Sequence, residues 1–436
     1  MSFIVFKTKN FEGLEQPVFI PSGTYEVSSN GTYNVANYEF IKVLIEKNEL
    51  KQVACSGYTT WVLKKDGTLW GCGYNYYGQQ GKGSSGNVLT FTQRLDNVKQ
   101  VACTTGSTWA IKNDGTLWAC GSNSSGCLGD GSGSDKYSFI QVLTDVKDIN
   151  CTYPVTWVLK NDGTLWGCGA NNTGQQSSGN TTAVLTFTQR LTDVKQVACT
   201  YSTTWAIKED GTLWGCGFNV YGQQGSGNTT DVKTFTQRLT NVKEVYADDN
   251  VTWALKTDGT LWGCGRNEQG QQGNGEYGTD RKVTVFTQRL DNVKDFVCSG
   301  WTTWAVKNDG TLWGCGYNGY GQLGSGDTTY VTTFTQILDN VAQVKASNNV
   351  TWALKTNDTL WGCGYNNYGQ QGSGNTSNVK TFIQRLTGVE SVACSGGMTW
   401  AIKNNGTLWG CGRGDYGQQG SGNTTDVTTF TQRTLE

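Results

Sequence analysis

The chain has 436 residues, with 34 Lys and Arg against 35 Asp and Glu, a net charge of −1 and no His. This balance excludes the basic stripe of a general nucleic-acid binder, and the lack of His removes the commonest general base and metal ligand from every site. The 59 Gly and 3 Pro point to many tight turns with φ > 0 rather than to Pro-stiffened linkers. Residues 1–10 lack the long apolar stretch and cleavage site of a signal peptide, and no run reaches membrane-spanning length. Synthesis in the cytoplasm and no membrane insertion are therefore expected.

Residues 1–50 stand apart from everything that follows. They hold Ser22-Gly23-Thr24-Tyr25-Glu26-Val27, then Asn30-Gly31-Thr32-Tyr33-Asn34-Val35-Ala36-Asn37-Tyr38, then a strand-like stretch at 40–45, and read as a small N-terminal β segment. The Asn-Gly-Thr-Tyr-x-Val phrase, followed by Tyr38 and an alternating strand, resembles short β-modules in tail and tail-fibre proteins of bacteriophages that infect Gram-positive hosts. That resemblance implies an attachment segment docking on other virion proteins; the alternative is a hairpin that caps the following domain.

Residues 51–436 repeat one phrase eight times: a Trp near the start of a strand, an Asp-Gly turn in most copies, then Thr-Leu-Trp-Gly-Cys-Gly, as in residues 61–73. The second Trp falls at Trp70, Trp118, Trp166, Trp214, Trp262, Trp313, Trp361 and Trp409, in steps of 48 residues with a single step of 51. A fixed period of this length marks a repeat architecture. Within the first unit, strands are predicted at 51–55, 60–64, 68–72 and 91–95. Asp66-Gly67 makes the hairpin between strands two and three, and Asp96-Asn97 the turn into the next unit. Four antiparallel strands repeated this often predict an all-β, closed β-propeller of four-stranded blades. Eight units favour eight blades, with seven as the alternative. Residues 43–50 lie in the register of a degenerate fourth strand and are a candidate for closing the ring. Both Trp of each unit are expected to fill the space between blades.

Fourteen of the 15 Cys follow the repeat. Eight lie in the Trp-Gly-Cys-Gly phrase (Ala119 replaces one Gly), and six lie six residues before the first Trp, at Cys55, Cys103, Cys151, Cys199, Cys298 and Cys394. Ala247 and Ala346 stand there in the remaining units, which keep Cys264 and Cys363, so a bridge between the two sites would strand a partner. Small buried side chains in a reducing setting fit better than a disulfide framework, and spacings of 48 are not metal-ligand spacings. Gly129-Asp130-Gly131-Ser132-Gly133-Ser134-Asp135 hints at a calcium loop but lacks the ligand spacing and terminal Glu, and reads as solvated linker. Without His there is no Ser-His or Cys-His pair. We expect no enzyme, no cofactor and no metal.

Val53-Ala54-Cys55-Ser56-Gly57-Tyr58-Thr59-Thr60, then Asp66-Gly67-Thr68-Leu69, then Gly73-Tyr74-Asn75-Tyr76-Tyr77-Gly78-Gln79-Gln80-Gly81 resembles the regulator of chromosome condensation repeat, and the likeness recurs through residues 51–436. The resemblance implies a propeller. It departs from the family at Thr59, where a His is usual, and at Cys72, where a Trp is usual; the best-studied members have seven blades. The family's eukaryotic founder promotes nucleotide exchange on the small GTPase Ran and docks on chromatin, and the absent His and near-zero charge weigh against carrying that role over.

Strand parity places the one-to-two and three-to-four loops on one side of the ring. The monotonous two-to-three and four-to-one turns fall on the other. The first side carries everything that varies between units, and loops on a rigid scaffold are where binding usually sits. Asn75, Gly78 and Gln79 recur and read as residues that hold the long loop's own turns. The variable aromatics are the candidate ligand-binding residues: Tyr58, Tyr74, Tyr76, Tyr77, Tyr153, Tyr201, Tyr221, Trp301, Tyr317, Tyr320, Tyr365, Tyr368 and Tyr416. Flat rings beside amides suit a sugar or a protein partner. The leading expectation is a non-enzymatic virion protein of a phage tail tip or fibre. It would recognise a host-surface glycan or protein in multiple copies, whose number supplies avidity. The alternatives are a structural decoration propeller of a particle, or a cytoplasmic protein-interaction regulator resembling a guanine nucleotide exchange factor.

Overall fold

The computed structural model describes residues 24–27, 31–34 and 50–435, with Asp249, Gly300 and Gly396 excepted. The repeat phrase folds around one local device. Asp66 Oδ1 accepts hydrogen bonds from the Thr68 amide (2.8 Å) and hydroxyl (2.7 Å), and that hydroxyl accepts one from Trp70 Nε1 (3.1 Å). Lys64 lies 5.0 Å over the Trp70 ring, and Gly67 takes the left-handed turn at φ +85°. Blades 7 and 8 keep the device with Asn357 and Asn405 in place of the Asp. The charged turn and the second Trp are thus one hairpin lock, repeated eight times with Lys–ring distances of 4.2–5.2 Å.

Each unit forms one antiparallel four-stranded sheet with its strands in chain order, giving eight blades. Blade 1 comprises Leu50–Ser56, Thr59–Lys64, Leu69–Gly73 and Val88–Leu95; blade 8 comprises Val389–Ser395, Met398–Lys403, Leu408–Gly412 and Val427–Arg433. Blades 2 to 7 span 98–143, 146–191, 194–239, 242–290, 293–338 and 341–386. The fourth strand begins earlier than predicted, at Val88, because the third–fourth pairing slips between Gly71 and Gly73 and picks the strand up again there. Between blades the chain turns through a left-handed residue, Asn97, Asp145, Asp193, Asn241, Asn292, Asn340 or Gly388, at φ +57 to +63°. These residue types tolerate that conformation best.

The first Trp of each unit is fully buried, whereas the second is only half-buried under its Lys. The expectation that both fill the inter-blade space is therefore corrected. The true pair is the first Trp of one blade and the Phe on the fourth strand of the next, edge-on with centroids 6.0 Å apart for Trp61–Phe139 and 5.7 Å for Trp205–Phe286. Gly71 makes room for this Trp, since a Cβ there would lie 2.6 Å from the Trp61 ring.

Trp400 of blade 8 packs on Phe91 of blade 1 in the same way, at 5.7 Å. The ring thus closes with the contact used everywhere else and no strand shared across the seam. Of the candidate closing segment 43–50, only Leu50 is described, as the first residue of blade 1; the predicted strand at 40–45 lies outside the described residues. In the N-terminal unit, Thr24–Val27 pairs antiparallel with Gly31–Asn34. Among the described residues no helix is long and apolar enough to cross a membrane.

All 15 Cys are free thiols. The eight phrase Cys are buried between blades, each thiol 3.2–3.5 Å from a carbonyl of the preceding blade's long loop. Burial pushes the Cys103 and Cys127 thiols up to about 12 from an ordinary 9.0.

Two outcomes are expected. Trp157→Ala empties an inter-blade site and should lower stability by about 3–5 kcal/mol, far more than Trp166→Ala; equal losses in thermal melts would contradict the division of roles. Because unfolded thiols ionise before the buried ones, stability should fall as the pH rises from 9 towards 12. That fall should be shallower in Cys103→Ala, and an unchanged profile would count against the burial argument.

Candidate binding rim

The long three-to-four loop is built from inside. Asn75 is buried; its Oδ1 accepts from the Gln80 amide (2.8 Å) and its Nδ2 donates to the carbonyls of Ser84 (2.7 Å) and Gly86 (3.1 Å). Gln79 Oε1 accepts from the Tyr77 amide (3.1 Å), and Gln80 Nε2 donates to the Cys72 carbonyl (2.8 Å). The recurrent Asn and Gln are therefore scaffold, as the sequence suggested. The loop then docks on the next blade, where the Thr108 hydroxyl donates to the Gln79 carbonyl (2.9 Å); across the seam Thr60 does the same to Gln418 (2.9 Å).

This docking fixes which side carries what. The Tyr74 amide donates to the Tyr58 carbonyl (2.9 Å) and Gln79 Nε2 to the Thr105 carbonyl (3.2 Å), which joins the long loops to the one-to-two loops on one rim. On the other rim the Val98 amide donates to the Gly67 carbonyl and the Asn113 amide to the Asn97 carbonyl, joining the hairpin locks to the inter-blade turns.

The residue after each Cys-Gly reads Tyr74, Ser122, Ala170, Phe218, Arg266, Tyr317, Tyr365 and Arg413. Six of these are large and form an unbroken arc of ring contacts from blade 4 round to blade 1. Phe218 meets Tyr221 at 6.1 Å, and the Arg266 guanidinium bridges Tyr221 (4.9 Å) and Trp301 (5.6 Å). Trp301 meets Tyr317 (5.8 Å), Tyr317 meets Tyr320 (6.0 Å), and Tyr320 meets Tyr365 of blade 7 (5.1 Å). Tyr365 meets Tyr368 (6.3 Å), and Arg413 lies 4.8 Å over both Tyr368 and Tyr58. Tyr416 closes on Tyr58 and Tyr74 at 4.9 Å each, and Tyr74 reaches Tyr76 and Tyr77. Blades 2 and 3 carry Ser122 and Ala170 at this position, and among the described residues the arc does not extend over them.

Eleven of the thirteen aromatics expected at a ligand face are thus in one arc; two are not. Tyr153 is half-buried with its hydroxyl bonded to those of Ser122 (3.2 Å) and Ser124, and Tyr201 has no ring contact among the described residues and is 51% exposed. Tyr58 is half-buried among Tyr74, Tyr416 and Arg413 rather than standing free. Among the described residues the most exposed ring is Tyr76, at 62%. Sequence reasoning missed Arg266 and Arg413, which each pair with a carboxylate two residues on, Glu268 and Asp415 (2.7 Å for the latter). Reading the single column after Cys-Gly would have found both. Partial burial, then the neighbouring phenols, raise the Tyr74 and Tyr317 pKa values, and partial burial with Tyr368 raises that of Tyr365, so these rings stay neutral.

Trp301 is 42% exposed and sits at φ +70°, a conformation that costs a bulky residue about 1–3 kcal/mol. Two cavities open beside the arc. One, of about 330 Å³, is lined by Tyr58, Tyr365, Tyr368, Arg413, Asn348, Thr105, Gly57 and Gly397. The other, of about 610 Å³, runs along the first strands of blades 3 to 6 and reaches Trp301 and Asn348. The suspected calcium loop is otherwise engaged: Asp130 pairs with Lys136 (2.8 Å) and accepts from Asn123 and Ser132. Among the described residues no cluster of Cys, Asp or Glu could hold a metal ion.

Residues 50–79 and 194–223 match one model of the regulator of chromosome condensation (RCC1) repeat, and residues 309–354 match another. The chain is an RCC1-like β-propeller. Its fold is similar to that of human WBSCR16 (19% identity, 75% of this chain and 96% of that one, TM-score 0.58). It is also similar to yeast RCC1 (Prp20) in complex with Kap60 (17% identity, 87% and 85%, TM-score 0.59) and to Prp20p from Saccharomyces cerevisiae, described with its binding to Gsp1p and histones (16% identity, 85% and 87%, TM-score 0.58). A comparison with curated proteins returns no match.

Proposed function

We propose that this RCC1-like propeller is a non-enzymatic binding protein that holds a host-surface glycan or protein against the arc of blades 4 to 8 and 1. Residues 1–50 would join it, in several copies, to a virion. The observation that carries the reading is the unbroken arc itself: rings and guanidiniums linked across five blade boundaries, on a scaffold whose other rim repeats one charged lock. Neutral phenols and carboxylate-paired arginines suit packing against a ligand better than proton transfer. The virion setting rests on the sequence resemblance of residues 30–38 to short modules of phage tail proteins. A second reading, a cytoplasmic protein-interaction propeller, draws support from the yeast neighbour's complex with Kap60 and its study with Gsp1p and histones.

Adsorption of purified protein to Gram-positive cell walls tests the first reading. The combined variant Tyr76→Ser, Tyr77→Ser, Arg413→Ala should bind at least about tenfold more weakly, and Tyr201→Ser, outside the arc, should bind like the parent. Unchanged adsorption by the combined variant would reject the rim.

A further inference from the structure

We propose that Trp301 and the cavities beside it form a subsite for one neutral pyranose ring of a glycan. This deepens the binding reading above and rests on it. Sixteen of the 17 Trp are the two repeat positions of each unit, and Trp301 is the remaining one. Its counterparts in blades 7 and 8 are Asn349 (φ +66°) and Gly397 (φ +100°), residue types that accept the left-handed backbone, whereas an indole at φ +70° is held there against its own preference. The ring is not needed to plug the interior, because 42% of the residue is exposed. Arg266 lies over one face (5.6 Å) and Tyr317 meets it edge-on (5.8 Å).

The cavity of about 610 Å³ and a recess of about 20 Å³ share Asp248, Asn250, Cys298 and Trp301 in their walls. Gln271, fully buried, also lines the recess, and its side-chain nitrogen has no partner. In blades 1, 3 and 6 the same residue is satisfied by the next one-to-two loop, Gln79 by the Thr105 carbonyl (3.2 Å), Gln175 by the Tyr201 carbonyl (3.2 Å) and Gln322 by Asn349 Oδ1 (3.0 Å), whereas Gln370 of blade 7 is unpartnered like Gln271 but has no Trp beside it, the counterpart of Trp301 there being Gly397. A buried donor left over beside an exposed indole calls for an acceptor from a ligand. The Asn250 amide oxygen, in the wall of both, offers an acceptor for a hydroxyl donor nearby. A pyranose supplies all three: a CH face for the indole, hydroxyls that donate, and a hydroxyl or acetamide oxygen that accepts. Glu244 and Asp248 line the larger cavity and no Lys or Arg among the described residues does, which disfavours phosphates, nucleotides and acidic sugars.

Titration of the 436-residue protein with N,N′,N″-triacetylchitotriose and with cellotriose, followed by calorimetry and saturation-transfer NMR, tests the subsite. At least one should bind, with transfer strongest to ring CH protons. Trp301→Asn should weaken binding tenfold or more while melting at the same temperature or higher, because Asn suits the backbone there. Failure of both trisaccharides to bind at millimolar concentration, undiminished binding by Trp301→Asn, or a lower melting temperature for that variant would overturn the proposal. The two readings separate cleanly. Cell-wall adsorption that depends on Tyr76, Tyr77 and Arg413 without trisaccharide binding leaves the rim and removes the subsite; Trp301-dependent trisaccharide binding with unimpaired adsorption by the rim variant does the reverse.

Discussion

The structure depends on one contact made between neighbouring blades. The long loop of each blade lays a carbonyl into the next, where a second-strand Thr donates to it in six of the eight boundaries and a phrase Cys lies against it in all eight. Beside it, a fully buried Trp meets the Phe of the neighbouring fourth strand. A Thr–carbonyl bond contributes only about 1 kcal/mol and a thiol less. Their weight comes from repetition around a closed ring and from the dry Trp–Phe packing that surrounds them. Because the seam uses the same contact, no blade is privileged and closure needs no exchanged strand.

The same contact explains how a uniform scaffold presents a non-uniform surface. A loop pinned from below by Asn75 and Gln80, and from the side by the next blade, can change its upward-facing residues freely. The column after Cys-Gly uses that freedom: Tyr, Phe or Arg in six blades, Ser or Ala in two. Rings in adjacent blades then come within contact distance, and the arginines join them where a ring is missing. The opposite rim has no such freedom, since its Asp, Thr, Trp and Lys are all engaged in the hairpin lock.

Much of this was legible in the chain. The period set the blade count, and Asp66-Gly67 and Asp96-Asn97 marked the turns. Strand parity put the variable loops on one rim. The two Trp of each unit were not separable, because both sit in similar strand contexts and only packing against the next blade makes one core and the other a half-exposed lid. The arc was legible as a set of aromatics but not as a connected object, since Arg266 and Arg413 reach rings in other blades that no local pattern reveals. Tyr153 shows the converse: a variable ring on the right loop, turned inward by the hydroxyls of Ser122 and Ser124. The strain at Trp301 needed coordinates, although its alignment with Asn349 and Gly397 was already in the sequence.

The central claim is that recognition belongs to one sector of one rim. Hydroxyl-radical footprinting of the protein, free and adsorbed to Gram-positive cell walls, tests it most directly. The account predicts protection of Tyr77, Tyr320 and Tyr368, with Tyr201 and the half-buried Trp166 on the opposite rim oxidised as in the free protein. Protection of the hairpin-lock rim, or equal protection around all eight blades, would contradict it.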